Sequence, residues 1–87
     1  MKFTVVWKPT AKNELAKLWI NAKDRSHVRL AADRIDYLLK WDPSFRGESR
    51  KETTRILLVP PLGVEFEVHE EDRIVNVIAI WRFKPRK

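Results

Sequence analysis

The chain has 87 residues, of which 44% are hydrophobic and 34% are charged. Because so short a chain can build only one hydrophobic core, we expect a single domain over residues 1–87. Cysteine is absent, which excludes a disulfide framework and a thiolate metal site. Lys and Arg number 18 against 12 Asp and Glu, a formal charge of +6. This balance favours nucleic acid or an acidic protein as the partner.

The apolar runs of the chain are far shorter than the ~20 residues that a membrane helix needs. We therefore expect a cytoplasmic protein that does not contact a membrane. Charge is also segregated along the sequence. Residues 65–72 carry acids and no Lys or Arg, whereas residues 82–87 carry Lys and Arg and no acid.

The first elements predicted are a strand and a helix. Residues 3–7 are β-branched and aromatic, and Pro9 ends the strand that they predict. Thr10 is a candidate N-cap for the helix that follows. Apolar residues then recur at helical spacing and predict one buried face, made of Leu15, Leu18, Trp19 and Ala22.

A second, longer helix begins at Asp24 or Ser26 and ends before the Asp42-Pro43 step. Its apolar stripe consists of Val28, Ala31, Ala32, Ile35, Leu38 and Leu39. Since only a few residues separate the two helices, they should form an antiparallel hairpin that needs a sheet to cover it.

After a loop at residues 42–50, the apolar period changes to two. Residues 53–59, 63–69 and 74–82 predict three strands whose short connections make them antiparallel. The last strand is apolar on both faces, as expected for a central position. The predicted fold is therefore α+β: an N-terminal strand, an antiparallel two-helix hairpin and a three-stranded antiparallel return.

The middle return strand offers the first candidate site. If Val64, Phe66 and Val68 face the helices, then Glu65, Glu67 and His69 share the open face. Two carboxylates and an imidazole can perform acid–base chemistry or hold a metal. A solvated strand face without function accounts for the same alternation.

Basic residues offer a second candidate site. Arg55 on the preceding strand should lie near the acidic strand, and an ion pair with Glu65 or Glu67 is the simplest role for it. Arg46, Arg50 and Lys51 cluster in and after the loop, where they can bind phosphates without reading sequence. A loop charged only for solubility is the alternative. Among the tryptophans, Trp41 is the one candidate for an exposed aromatic residue.

Three local segments are distinctive: residues 6–11 (VWKPTA), 60–68 (PPLGVEFEV) and 75–81 (VNVIAIW). With the order of elements, they resemble the RelE/ParE superfamily of bacterial toxins from type II toxin–antitoxin modules. The resemblance covers essentially the whole chain and implies the fold predicted above, with the open sheet face as the functional surface. One branch of the superfamily cleaves mRNA on the ribosome without a metal, and another inhibits DNA gyrase.

The resemblance also implies site residues. Arg55 matches a basic position on the first return strand, and Arg82 lies beside the basic position that follows the last strand. Leu57 and Gly63 occupy positions where the ribonuclease branch carries cations. The predicted catalytic set is Arg55, Arg82, Lys84, Glu67 and His69, and the predicted nucleic-acid-binding set is Arg46, Arg50, Lys51 and Arg86.

The function expected from this resemblance is that of a toxin. It would act on translation by ribosome-dependent mRNA cleavage and would be neutralised by an acidic cognate antitoxin, without metal or other cofactor. Two alternatives stay open: a ParE-like inhibitor of DNA gyrase, and a non-catalytic binding module that keeps the toxin fold.

Overall fold

A computed structural model of the chain describes residues 2–84. Its elements, in chain order, are β1 (Thr4–Trp7), α1 (Pro9–Asn21), α2 (Arg25–Lys40), a 3-10 turn (Pro43–Phe45), β2 (Glu48–Ser49), β3 (Thr54–Val59), β4 (Leu62–His69) and β5 (Ile74–Arg82). The predicted α+β order of a strand, a helical hairpin and an antiparallel return is confirmed. The two-residue strand β2, inside the predicted loop, is an addition to that prediction.

The five strands form one mixed sheet in the order β1-β5-β4-β3-β2. Strand β1 pairs with β5 in parallel, whereas the pairs β5–β4, β4–β3 and β3–β2 are antiparallel. The predicted central position of β5 is thereby confirmed. Strand β5 lies between β1 and β4, so it has a hydrogen-bonded neighbour at each edge.

The predicted N-cap of α1 is wrong. Helix α1 begins at Pro9, one residue before Thr10, and Lys8 occupies the N-cap position without a side-chain hydrogen bond. Proline has no backbone N–H and its fixed φ suits the first helical turn, so Pro9 starts the helix as well as ending the strand. Helix α2 has Asp24 at its N-cap, the first of the two predicted starts.

The core lies between the helical hairpin and one face of the sheet. Its buried residues from α2, β4 and β5 include Val28, Ala31, Ile35, Leu39, Val64, Phe66, Val75 and Val77. Helix α1 contributes Ala11, which is buried, and Leu15 and Leu18, which pack against the cluster. The helical stripes predicted from the sequence therefore supply most of the helical side of this core.

Trp19 is an exception, since 43% of its surface is exposed. A helix turns about 100° per residue, which carries Trp19 well away from Leu18 around the axis of α1. The Arg25 guanidinium stacks over the Trp19 ring at 4.9 Å from its centroid. It also donates hydrogen bonds to the backbone carbonyls of Trp19 and Ile20. The predicted burial of Trp19 is therefore wrong.

No helix within residues 2–84 is both long enough and apolar enough to cross a membrane.

Candidate functional site on the open face of the sheet

The side chains of β4 alternate between the two faces of the sheet. Val64, Phe66 and Val68 are buried beneath the helices, whereas Glu65, Glu67 and His69 are half-buried. The predicted alternation is confirmed. Cross-strand neighbours share a face, so the strand registers extend this assignment to the rest of the sheet.

Glu67 and His69 form a hydrogen-bonded pair on the open face. The distance from His69 Nε2 to Glu67 Oε1 is 2.7 Å. In register with Glu67 lie Thr54 on β3 and Asn76 on β5. A carboxylate that binds one imidazole nitrogen fixes the tautomer and leaves the other nitrogen available for proton transfer. We name this part of the surface the acid–imidazole end.

The other end of the open face is apolar. Gly63 lies opposite Leu58 on β3 and Trp81 on β5. A Cβ atom on Gly63 would lie 2.7 Å from the Trp81 indole, so only glycine allows the ring to approach this closely. A cleft of about 520 Å³ opens here, lined by Ile56, Leu57, Leu58, Trp81, Phe83, Gly47, Glu48 and Arg50. We name it the open-face cleft.

A register shift separates the two ends. Between β4 and β5, Glu65 pairs with Ala79 but the next residue, Phe66, pairs with Val77. The extra residue, Ile78, makes this a β-bulge, which bends a strand and increases its twist. Glu65 lies at this shift and, among the described residues, makes no side-chain hydrogen bond or ion pair.

Arg55 lies on the helix face of the sheet, because it pairs in register with the buried Phe66. Its Nε donates to the Arg46 carbonyl at 2.7 Å and its Nη2 donates to the Gly47 carbonyl at 3.0 Å. The open-face positions opposite Glu65 and Glu67 are occupied by Ile56 and Thr54. The predicted pairing of Arg55 with either glutamate is therefore wrong, and Arg55 instead anchors the loop before β2.

Arg82 also belongs to the helix face, since its partner in register is the buried Leu62. Its Nη2 lies 2.7 Å from Asp24 Oδ2 at the start of α2. The hydrogen bond from Arg82 lowers the pKa of Asp24 below its ordinary value, and the same bond raises the pKa of Arg82. This ion pair joins the end of β5 to the helical hairpin.

The loop cations have different surroundings. Arg46 is half-buried and its Nε donates to the Trp41 carbonyl. Arg50 and Lys51 are exposed, and their backbone N–H groups both donate to the Thr54 carbonyl. This carbonyl belongs to the residue opposite Glu67, so the loop returns to the sheet at the acid–imidazole end.

The two predicted site sets are brought together only in part. Glu67 and His69 meet on the open face, whereas Arg55 and Arg82 are engaged on the helix face. Lys84 is exposed after the end of β5, and Arg86 lies outside the described residues. Trp41 has 39% of its surface exposed, as predicted, but Trp19 is exposed as well, so the prediction that Trp41 is the one exposed tryptophan is wrong.

Sequence reasoning missed Asp24 as the partner of Arg82 and missed the open-face cleft. The cleft had a signal in the sequence, because a glycine inside an apolar strand often marks the close approach of another group. The Asp24–Arg82 pair had none, since 58 residues separate its members. Within residues 2–84, no three His, Asp or Glu side chains are grouped closely enough to hold a metal ion.

No protein-family model matches the chain, and no curated protein matches it in sequence. Solved structures do match its fold. A chain of the RelBE2 toxin–antitoxin complex from Mycobacterium tuberculosis superposes with a TM-score of 0.78 at 15% identity, covering 94% of this chain and 92% of that one.

Two further solved structures have the same fold. The E. coli toxin RelE, in a mutant form in the free state, gives a TM-score of 0.71 at 15% identity, covering 94% of this chain and 84% of that one. A chain of the chromosomal ParDE system from P. aeruginosa gives a TM-score of 0.70 at 15% identity, covering 95% of this chain and 98% of that one. The protein therefore has the fold of the RelE/ParE toxins.

Proposed function

We propose that this protein is the toxin of a type II toxin–antitoxin module, neutralised by an acidic antitoxin and acting in the cytoplasm on translation. The observation that carries the proposal is the match in fold over 94% of the chain to a chain of a toxin–antitoxin complex. The formal charge of +6 supports both a ribosomal target and an acidic antitoxin.

The proposed reaction is cleavage of mRNA at the acid–imidazole end. In the tautomer that carries its proton on Nε2, His69 donates a hydrogen bond to Glu67, so the Nδ1 lone pair is available to take the proton of a ribose 2′-hydroxyl. The 2′-oxygen then forms a bond to phosphorus while the bond from phosphorus to the 5′-oxygen breaks. Water protonates the departing 5′-oxygen, and the hydroxide that forms takes the proton back from His69. The products are a 2′,3′-cyclic phosphate and a 5′-hydroxyl.

The exposed Arg50 and Lys51 are the cations that we assign to the phosphates of the RNA, because their loop meets β3 at Thr54 beside Glu67. Lys84, also exposed, would bind the strand farther along. Arg55 and Arg82 would act as positioning residues, since their guanidinium groups are engaged by the loop carbonyls and by Asp24.

A second candidate function is inhibition by binding alone, as in a gyrase inhibitor or a non-catalytic module. The observation that favours it is the engagement of both predicted catalytic arginines in internal contacts. The family resemblance also implies that Leu57 and Gly63 occupy positions where the ribonuclease branch carries cations. A site with fewer cations stabilises a developing phosphorane charge less well.

The deciding experiment is induction of the chain alone in a bacterium, with labelled methionine and labelled thymidine followed over the first minutes. An early fall in methionine incorporation supports action on translation. An early fall in thymidine incorporation instead supports gyrase as the target. Unchanged incorporation of both labels, with folded protein present, would contradict both toxic activities and leave the binding module.

A further inference from the structure

The open-face cleft contains two aromatic side chains that share one face of β5. Trp81 pairs in register with Gly63, and its indole lies over that glycine. The Phe83 N–H donates to the Pro61 carbonyl at 3.0 Å, which continues the pairing of the two strands beyond the end of β5. Side chains two residues apart on a strand share a face. Both rings therefore belong to the open face, and both are half-buried.

The aromatic part of the cleft suits a flat ligand. The sheet supports the Trp81 indole on the side of Gly63, and the cleft opens beside the rest of the ring. Indole and phenyl rings stack on nucleobases, because every base has a π-face. The volume of about 520 Å³ lies within the range of small-ligand sites, about 300–1,000 Å³.

Glu48 brings a carboxylate to the rim of this cleft. It pairs in register with Ile56, which in turn pairs with Glu65, so all three side chains are on the open face. Glu48 is exposed and forms no ion pair within residues 2–84. An ionised carboxylate only accepts hydrogen bonds, and its two oxygens can accept two parallel ones. The ligand that fits Glu48 best therefore presents two neighbouring N–H groups.

Arg50 brings a cation to the same rim. It follows Glu48 by two residues, is exposed and lines the cleft. Its backbone N–H is bound to the Thr54 carbonyl at 2.8 Å, which holds this part of the loop against β3. A guanidinium group binds phosphate oxygens in a bidentate manner. The cleft thus combines an aromatic surface, a pair of acceptor oxygens and a phosphate-binding cation.

This combination distinguishes between the four bases of RNA. Single-stranded bases are recognised through hydrogen bonds to their Watson–Crick edges. Only guanine presents an imino N–H and an amino N–H side by side on that edge, at N1 and N2. Adenine and cytosine present an amino group beside a ring acceptor, and uracil presents one N–H between two carbonyls. A carboxylate therefore selects guanine.

We propose that the open-face cleft binds one guanine nucleotide of the RNA substrate. The base stacks on Trp81, its two N–H groups donate to Glu48, and its phosphate lies against Arg50. Gly63 and Glu67 are four residues apart on β4, a separation of about 13 Å. The guanine is therefore near the cleaved bond but not part of it, and it sets a sequence preference. This inference rests on the proposed function, because that function supplies the RNA.

The first test measures the binding of free mononucleotides and needs no ribosome. In an NMR titration of the full chain, GMP should shift the indole N–H signal of Trp81 with a dissociation constant about tenfold or more below those of AMP, CMP and UMP. IMP, which lacks the 2-amino group, should bind more weakly than GMP. Glu48→Gln should abolish the preference, because an amide presents a donor to one of the two N–H groups.

Glu52→Gln is the matched control for Glu48→Gln. Glu52 is an exposed acid of the same loop that does not line the cleft, so this variant changes the net charge equally. It should keep the preference for GMP. Thermal unfolding should show that both variants are folded. A preference for GMP that survives Glu48→Gln would overturn the proposed site.

The second test measures cleavage on purified ribosomes with mRNAs that differ in a single nucleotide. Wild type should cleave about tenfold faster when guanine occupies one fixed position beside the cleaved bond, and Glu48→Gln should lose this difference. Cleavage without a guanine preference would overturn the role in substrate selection and leave the proposed reaction standing. Selective GMP binding by a chain that cleaves no mRNA would support the nucleotide site and contradict the proposed reaction.

Discussion

The two ends of the open sheet face differ in chemistry although β4 and β5 build both. At one end, Glu67 and His69 are joined by a hydrogen bond of 2.7 Å. At the other, the Trp81 indole covers Gly63 beside Leu58. The β-bulge between them changes the register of β4 against β5. The comparison shows that one sheet face carries a hydrogen-bonded acid–imidazole pair at one end and an apolar surface at the other.

The largest expected effect concerns the acid–imidazole end. His69→Ala should lower ribosome-dependent mRNA cleavage by about 10²–10⁴, the usual contribution of a general base. Cleavage of a defined mRNA on purified ribosomes measures this. Glu65→Gln is the matched control, because Glu65 shares the face and strand but lies at the bulge, outside the pair. Equal cleavage by His69→Ala and wild type would contradict the proposed reaction.

The next effect concerns the apolar end. Gly63→Ala would place a Cβ atom 2.7 Å from the Trp81 indole and 2.9 Å from Leu58, and should lower the free energy of unfolding by about 1–3 kcal/mol. Denaturant unfolding measures it. In a Trp81→Ala background the same substitution should cost much less, because the clashing ring is absent. If Gly63→Ala lowers the free energy of unfolding just as much in the Trp81→Ala background, the strain does not come from the indole ring.

A smaller effect is expected when the loop at residues 46–51 loses the hydrogen bonds that Arg55 donates to it. Arg55→Ala removes hydrogen bonds to the Arg46 and Gly47 carbonyls, and should lower the free energy of unfolding by about 1–2 kcal/mol. Amide exchange in residues 46–51 should accelerate while that of β5 stays unchanged. Arg46→Ala, which loses a single bond to the Trp41 carbonyl, should have a weaker effect. Unaltered exchange in the loop would contradict the anchoring role.

The smallest effect is a pH dependence at the Asp24–Arg82 pair. The pKa of Asp24 is lowered in the folded protein. The ionised carboxylate therefore stabilises the fold fully at pH values above the ordinary pKa of an aspartate. This contribution is lost as the pH falls through the lowered pKa. Asp24→Asn should therefore reduce stability slightly at neutral pH, as expected for a surface pair, and not at all in strong acid.

Thermal unfolding from neutral pH to about pH 2 measures this dependence. Asp33→Asn serves as the control, since the exposed Asp33 makes no ion pair within the described residues. A difference between wild type and Asp24→Asn that persists in strong acid would show that the pair is not its cause.

The sequence by itself determined the helical hairpin, the three long return strands and the face on which Glu65, Glu67 and His69 lie. These features follow from local periodicity: a helix repeats its buried face every three or four residues, and a strand repeats it every two. The family resemblance gave the same element order, and the fold comparison agrees with it.

Only the tertiary structure decided the positions of Arg55 and Arg82, the parallel pairing of β1 with β5 and the pairing of β2 with two residues of β3. Each depends on groups that are distant in sequence, such as Asp24 and Arg82, or on the register between strands. A one-residue change in register moves a side chain to the opposite face. Local sequence patterns do not specify which strand lies beside which, so the packing of the whole chain places both arginines on the helix face.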